Sequence, residues 1–415
     1  MKLRKMMPDI SSILYLALAR KTYCNLYRFT MTMSEEVDPV CLQKAADNIR
    51  DRFSVFMCGF ESGFFHDTQA VHDVRIQVVK DTQFLRILTK EEIKTCPARI
   101  LYAENRLSIE FFHALADGYG AVAYISTLTA EYLRLRYNME IPVGYPIMDI
   151  MEETREEEFT DEYFNHCADK PAKLSQIYAY QLPREDKKGC TIRPYQKVLS
   201  MSEVKGMSKK LGVSPTTFLS EIMAESFMKV QMKQGTSHLP VRIMIPVNLR
   251  GFFPNKTFRN FIETIHVTLH KDDLNKSFTE RLTQFKDEMK SQLNVEHLGG
   301  MIKSHVSLQQ SVLFKMIPTK LKYVAFKLGY GVFGESNSTM TFTNLGVVNL
   351  PEEMHPYVNK IDCFLSPRAG SPYNCAMIVY KDQLALNISS FNKNTEVEDE
   401  LWQHLTKIME EQKSF

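Results

Sequence analysis

The run His113-Ala114-Leu115-Ala116-Asp117-Gly118 holds the residue types that proton transfer needs. Histidine has an ordinary pKa near neutrality, so it takes a proton from a hydroxyl, amine or thiol without an extreme environment. Leu107-Ser108-Ile109-Glu110-Phe111-Phe112 reads as a strand and runs straight into His113. Loops at strand ends often carry function because a rigid sheet positions them. Asp117 follows at a turn. Gly118 and Gly120 permit positive backbone angles or the close approach of another segment. Taken alone, the run is more simply a core histidine followed by an Asp-Gly turn, a common combination.

The elements that must position these residues mix strands and helices. Leu26 to Met33 alternates as a strand does, and Val74 to Val79 and Ile100 to Tyr102 read as further strands. Asp38-Pro39 starts a helix, with Asp38 as its cap and Val40, Ala45, Ile49 and Phe53 as its apolar face. Residues Ala121 to Arg136 read as a helix on the spacing of Val122, Ile125, Leu128 and Tyr132. The second half restarts the pattern. Ser202-Glu203-Val204 begins a helix, and Ser214 caps another that continues to Gln231. Strands are expected over 241–247, 262–269, 340–343, 377–379 and 384–389, and helices over 277–293 and 396–410. There is no glycine-rich phosphate loop and no βαβ repeat. The acidic run Met151 to Glu158 and the charged turn Pro183 to Gly189 mark a solvated crossover between halves. The expected organisation is residues 1–150, a linker over 151–190, and residues 191–415.

Composition sets limits. The chain has 415 residues, enough for two packed subdomains. With 51 basic and 49 acidic residues its formal charge is +2, and no dense basic patch suggests a nucleic-acid partner. None of the eight cysteines forms a Cys-x-x-Cys pair, so they read as reduced thiols of a cytoplasmic protein with no metal centre. Met1 to Ala19, basic and then apolar, mimics a short signal peptide, but Pro8-Asp9 and Ser11-Ser12 interrupt it. No stretch reaches the roughly 18 apolar residues of a membrane span.

Several segments in order resemble the chloramphenicol acetyltransferase-like superfamily, particularly its bacterial alcohol acetyltransferase-like and condensation-domain-like members. They are Glu36-Val37-Asp38-Pro39, Arg52-Phe53, Gly63-Phe64-Phe65, the strand–His113-x-x-x-Asp117-Gly118–helix run, the long segment Pro246 to Phe261, and Thr343-Asn344-Leu345-Gly346. The resemblance implies an α/β fold of the α+β type, with two similar subdomains arranged in a V around a central substrate tunnel. It implies an acyltransferase, for which a monomer suffices because one chain supplies both sides of the site, that has no bound cofactor and moves an acyl group from acyl-CoA, such as acetyl-CoA, to a small alcohol or amine. His113 would be the general base. Asp117 would pair with Arg250 in a forked contact that holds the His113 loop. Asn248, Thr343 and Asn344 are candidate oxyanion donors. Lys256 and Arg259 are weaker candidates for CoA phosphates, with solvated loop charge as the simpler reading. Condensation domains usually carry a second histidine just before the catalytic one. Phe112 stands there and favours a free-standing transferase over a carrier-protein-dependent enzyme.

Overall fold

A computed structural model describes residues 4–19, 23–172, 176–185, 191–235, 238–368 and 370–413. Cys190 and positions 186–189 of the charged turn lie outside the described residues. The fold is mixed α/β with two large sheets, each facing its own apolar core. The first sheet has five strands in the order Val358–Leu365, Leu26–Met33, Arg106–Phe112, Ala98–Ala103 and Val78–Lys80. Its last pair is parallel and the others antiparallel. The second has six, in the order Ile262–Leu269, Val241–Asn248, Met340–Val347, Tyr373–Tyr380, Gln383–Ser390 and Arg193–Ser200. Met340–Val347 runs parallel to both its neighbours. Strand Val358–Leu365 comes late in the chain yet forms the edge of the first sheet, so chain order and sheet membership diverge there.

Most expected elements form, and the differences have local causes. The helix expected from Ala121 begins at Gly118, because the Asp117 carboxylate accepts from Tyr119 N–H at 3.1 Å and caps it. The strand expected over 74–79 is reduced to Val78–Lys80. Gln43 of the neighbouring helix explains this: its amide donates to Ile76 O at 3.2 Å and accepts from Val78 N–H at 2.8 Å. A side chain thereby fills the hydrogen-bonding capacity that a strand partner would otherwise satisfy. The apolar run after Asp9 is the helix Ile10–Leu18, capped by Asp9, whose side chain accepts from Ser12 N–H at 2.7 Å. The strands Arg193–Ser200 and Val358–Leu365 and the helices Val295–Gln310 and Thr319–Tyr330 were not read from the sequence.

The acidic segment is not solvated throughout. Glu158 is buried and forks onto Arg52, with contacts of 2.7 and 2.6 Å. Its carbonyl accepts from Phe258 N–H at 3.0 Å. Phe258 then packs beside Phe53 and Phe56, with ring centroids 5.9 Å away in each case. This stack brings the 248–261 segment of the second half against the helix that follows His113. Gly120 sits at the contact, where an added Cβ would lie 2.7 Å from Phe258 O. Backbone cannot yield as a side-chain tip can. Gly120→Ala is therefore expected to cost about 1–3 kcal/mol in a urea melt. Gly118→Ala meets only the movable Cδ2 of Leu345, at 2.7 Å, and is expected to cost less. Equal losses would show that the Phe258 contact is not rigid.

Candidate active site

His113 sits at the end of strand Arg106–Phe112, on the wall of a cavity of about 290 Å3. Both sheets line that cavity, through Tyr27 and His113 on one side and Met244, Thr341 and Thr343 on the other. Its volume is near the lower end for small-molecule sites. The His113 ring stacks on Tyr15 at 4.3 Å and meets Tyr27 edge-on at 5.1 Å. His113 N–H donates to Asn25 O at 2.9 Å. Nδ1 is buried without a partner of normal geometry, and the imidazole contributes to the cavity wall. Burial lowers the imidazole pKa from its ordinary 6.5. Its own backbone, the Asp117 carboxylate and the Asn260 amide oppose that shift. The net effect favours a neutral imidazole, the form that accepts a proton.

The loop after His113 is held from three directions. Ser12 Oγ donates to Ala114 O at 2.6 Å, and Tyr27 OH donates to Ala116 O at 2.9 Å. Asp117 supplies the third hold and points away from solvent. Its Oδ2 accepts from Arg250 Nη1 at 2.8 Å and from Phe261 N–H at 2.9 Å. The contact with Arg250 is single, whereas the sequence reading expected a forked one. Arg250 spends its other donors on Thr257 O, at 3.1 and 2.8 Å, and Arg259 O, at 2.8 Å. The guanidinium also lies over the Tyr119 ring, 4.5 Å from its centroid. The arginine therefore shapes the 248–261 segment and joins it to the His113 loop through one carboxylate oxygen.

The three oxyanion candidates line the cavity but differ in what they have free. Asn344 is committed at both ends of its amide, to Thr216 Oγ1 at 2.9 Å and Gly346 N–H at 2.8 Å. Asn248 Oδ1 accepts from Arg250 N–H at 3.1 Å and from Arg250 Nη1 at 3.2 Å, and among the described residues its amide nitrogen has no acceptor. Among the described residues the Thr343 hydroxyl has no hydrogen-bond partner. Gly346 adopts φ +74° beside an irregularity in strand pairing, a conformation that favours glycine.

Neither candidate for CoA phosphates lines the cavity. Arg259 is buried, donates to Phe159 O at 3.2 Å and Met7 O at 2.8 Å, and faces Asp9 at 3.6 Å. A guanidinium so enclosed links the 248–261 segment to the N-terminal segment. Lys256 is exposed and pairs with Glu157 at 3.1 Å.

Sequence reading missed several residues here. Tyr15 and Ser12 belong to the apolar run whose Asp9 cap signalled a helix start that went unread. Arg368 also lines the cavity; it is buried, with Nη2 donating to Ser338 Oγ at 2.8 Å and Nε left without a partner. Nearby, Asn374 donates to Ser366 O at 2.7 Å, while its Oδ1 and the Thr341 hydroxyl are unpartnered. Nothing in the local sequence marked this polar end. Cys363 lines the cavity too, but burial pushes its thiol well above the ordinary range, unsuited to a thiolate nucleophile. Outside the cavity, Glu221, Glu225 and His404 have ligand-like spacing. Arg281, 2.6 Å from Glu221, and Lys229, 2.9 Å from Glu225, already neutralise those carboxylates.

No protein-family model and no curated protein sequence matches the chain. Solved structures do. Polyketide synthase associated protein 5 from Mycobacterium tuberculosis aligns with a TM-score of 0.61 at 12% identity, covering 98% of this chain and 97% of that one. The epimerization domain of tyrocidine synthetase B aligns with a TM-score of 0.62 at 11% identity, covering 100% and 99%. The wax ester synthase/diacylglycerol acyltransferase of Marinobacter aquaeolei VT8 aligns with a TM-score of 0.56 at 13% identity, covering 98% and 100%. At such identities the likeness is one of fold, and it spans the whole of each partner. The chain has the two-subdomain chloramphenicol acetyltransferase-like fold.

Proposed function

We propose that this protein is an acyl-CoA-dependent acyltransferase in which His113 is the general base. The observation that carries the reading is a buried histidine on the wall of a cavity lined by both sheets, on a loop held by Asp117. His113 takes the proton of an acceptor hydroxyl or amine. The acceptor oxygen or nitrogen attacks the thioester carbon, forming a tetrahedral oxyanion. Donors aimed at that oxygen lower the barrier, and Asn248 Nδ2 and the Thr343 hydroxyl are the free ones. The oxyanion collapses, the carbon–sulfur bond breaks, and the CoA thiolate takes the proton back from His113. Holding donor and acceptor in one cavity supplies orientation.

The favoured acceptor is a small alcohol or hydroxylated metabolite; an amine would use the same base. Phe112, fully buried where condensation domains place a second histidine, weighs against the carrier-dependent alternative. The cavity suits a mostly apolar substrate with one polar group directed to Arg368. Arg368→Ala is expected to raise KM for one of the two substrates about tenfold or more with a smaller change in kcat. KM values unchanged from wild type for both substrates would remove this assignment. The primary test is thiol release from acetyl-CoA and longer acyl-CoAs against a panel of alcohols and amines. Release that requires an acceptor supports the reading, and no release with any acyl-CoA overturns it.

A further inference from the structure

Residues 297–334 contain Lys303, Lys315, Lys320, Lys322 and Lys327 and no acidic residue. The helices Val312–Met316 and Thr319–Tyr330 in this segment turn large apolar side chains outward. Leu313 is 78% exposed, Leu321 60% and Leu328 69%, with Val312, Met316 and Val324 exposed beside them. Leu321, Val324 and Leu328 fall at i, i+3 and i+7, a single stripe along one helix. Lys320 and Lys327 are exposed along the edge of that stripe, and Lys315 is exposed on the preceding helix. Phe64, 72% exposed, joins the same face. Thr319 N–H donates to Phe64 O at 2.8 Å, and Lys322 Nζ donates to Phe65 O at 2.7 Å.

Single exposed apolar residues are normal on a protein surface, but a contiguous patch of this kind marks a docking face. Its charge selects the occupant. A second copy of this face would set lysine against lysine with no acid to pair them. An anionic lipid leaflet offers an apolar layer for the leucines and negative headgroups for the lysines. We propose that this face docks on an anionic lipid surface.

The position of the face gives docking a consequence. Tyr330, the last residue of its helix, lines the cavity. The helix also packs on Ile10–Leu18, whose Tyr15 stacks on His113. Docking therefore puts one end of the cavity at the lipid, where an apolar acyl chain or acceptor enters without crossing water. Only this last step rests on the acyl-transfer reading.

The test is flotation with vesicles of phosphatidylcholine alone and of phosphatidylcholine with phosphatidylglycerol at 3:1. The expected result is binding to the anionic vesicles that weakens with salt. The pair Leu321→Glu and Leu328→Glu should reduce it at least tenfold, and Lys320→Glu with Lys327→Glu should remove the preference for phosphatidylglycerol. Thermal melts check that these surface variants fold, and thiol release against soluble short-chain substrates should be unchanged. Absence of binding by the wild type, or undiminished binding by the leucine pair, overturns docking. So does a dimer in light scattering that the leucine pair dissolves, which would assign the face to a second copy. Vesicle binding without thiol release on any substrate would leave docking standing and remove the acyl-transfer reading.

Discussion

His113→Ala is expected to slow thiol release from acyl-CoA by roughly 10²- to 10⁴-fold, the usual worth of a positioned general base. The variant should lose the ring contacts with Tyr15 and Tyr27 and some stability with them, but it should still fold and bind acyl-CoA, because Nδ1 holds no hydrogen bond whose loss would strand a partner. The pH dependence should carry the same signature. Burial lowers the His113 pKa, so the neutral base persists below its ordinary 6.5, and the acid limb of the rate profile should lie below that value. Stability should follow with the opposite demand. Between the lowered folded pKa and 6.5 the unfolded chain holds the proton that the folded chain refuses, so this group's contribution falls as pH falls through that window. Thermal melts of wild type and His113→Ala between pH 5 and 7 should converge as the pH drops. Full turnover by His113→Ala would remove the base from the mechanism.

The second large effect is expected at Asp117. Asp117→Ala would leave the Arg250 guanidinium buried without its carboxylate and Phe261 N–H without an acceptor. Breaking a buried ion pair on one side typically costs about 3–5 kcal/mol. Asp117→Asn keeps the shape but brings an amide N–H where two donors now converge, and should lose a substantial part of the same stability. A double-mutant cycle with Arg250→Ala in urea separates the pair from its surroundings. A strong coupling energy is expected, because each single change strands the other partner. Activity should fall through loss of order in the His113 loop, so variants stabilised by ligand should recover part of it. Asp117→Asn with wild-type stability and full turnover would show that the loop does not depend on this carboxylate.

Much of this architecture is written locally. Alternation over Leu26–Met33 and Ile262–Leu269, the Asp38-Pro39 and Ser214-Pro215 helix starts, and the strand into His113 are short-range signals, and the structure carries each. What escaped notice had no such signal or had a competing one. Strand Val358–Leu365 joins a sheet whose other members lie more than two hundred residues earlier, and no periodicity reports a partner. Val74 to Gln77 has strand-like composition, yet Gln43 takes the Ile76 carbonyl and the N–H of the next residue, Val78. Glu158 sits in a run of surface acids and is distinguished only by Arg52 beneath it. Arg259 is buried in the same way, since burial is a property of packing rather than of residue type.

The arginine that answers Asp117 was indicated only by the family resemblance, whereas the sequence by itself determined that a histidine follows a strand and precedes a helix. It did so because caps, alternation and residue chemistry act over a few residues. Only the tertiary structure decided that Tyr15 backs the imidazole, that Arg250 touches one carboxylate oxygen rather than two, and that Arg368 faces the same cavity. Those outcomes depend on which long-range surfaces meet, as does the burial that lowers the His113 pKa.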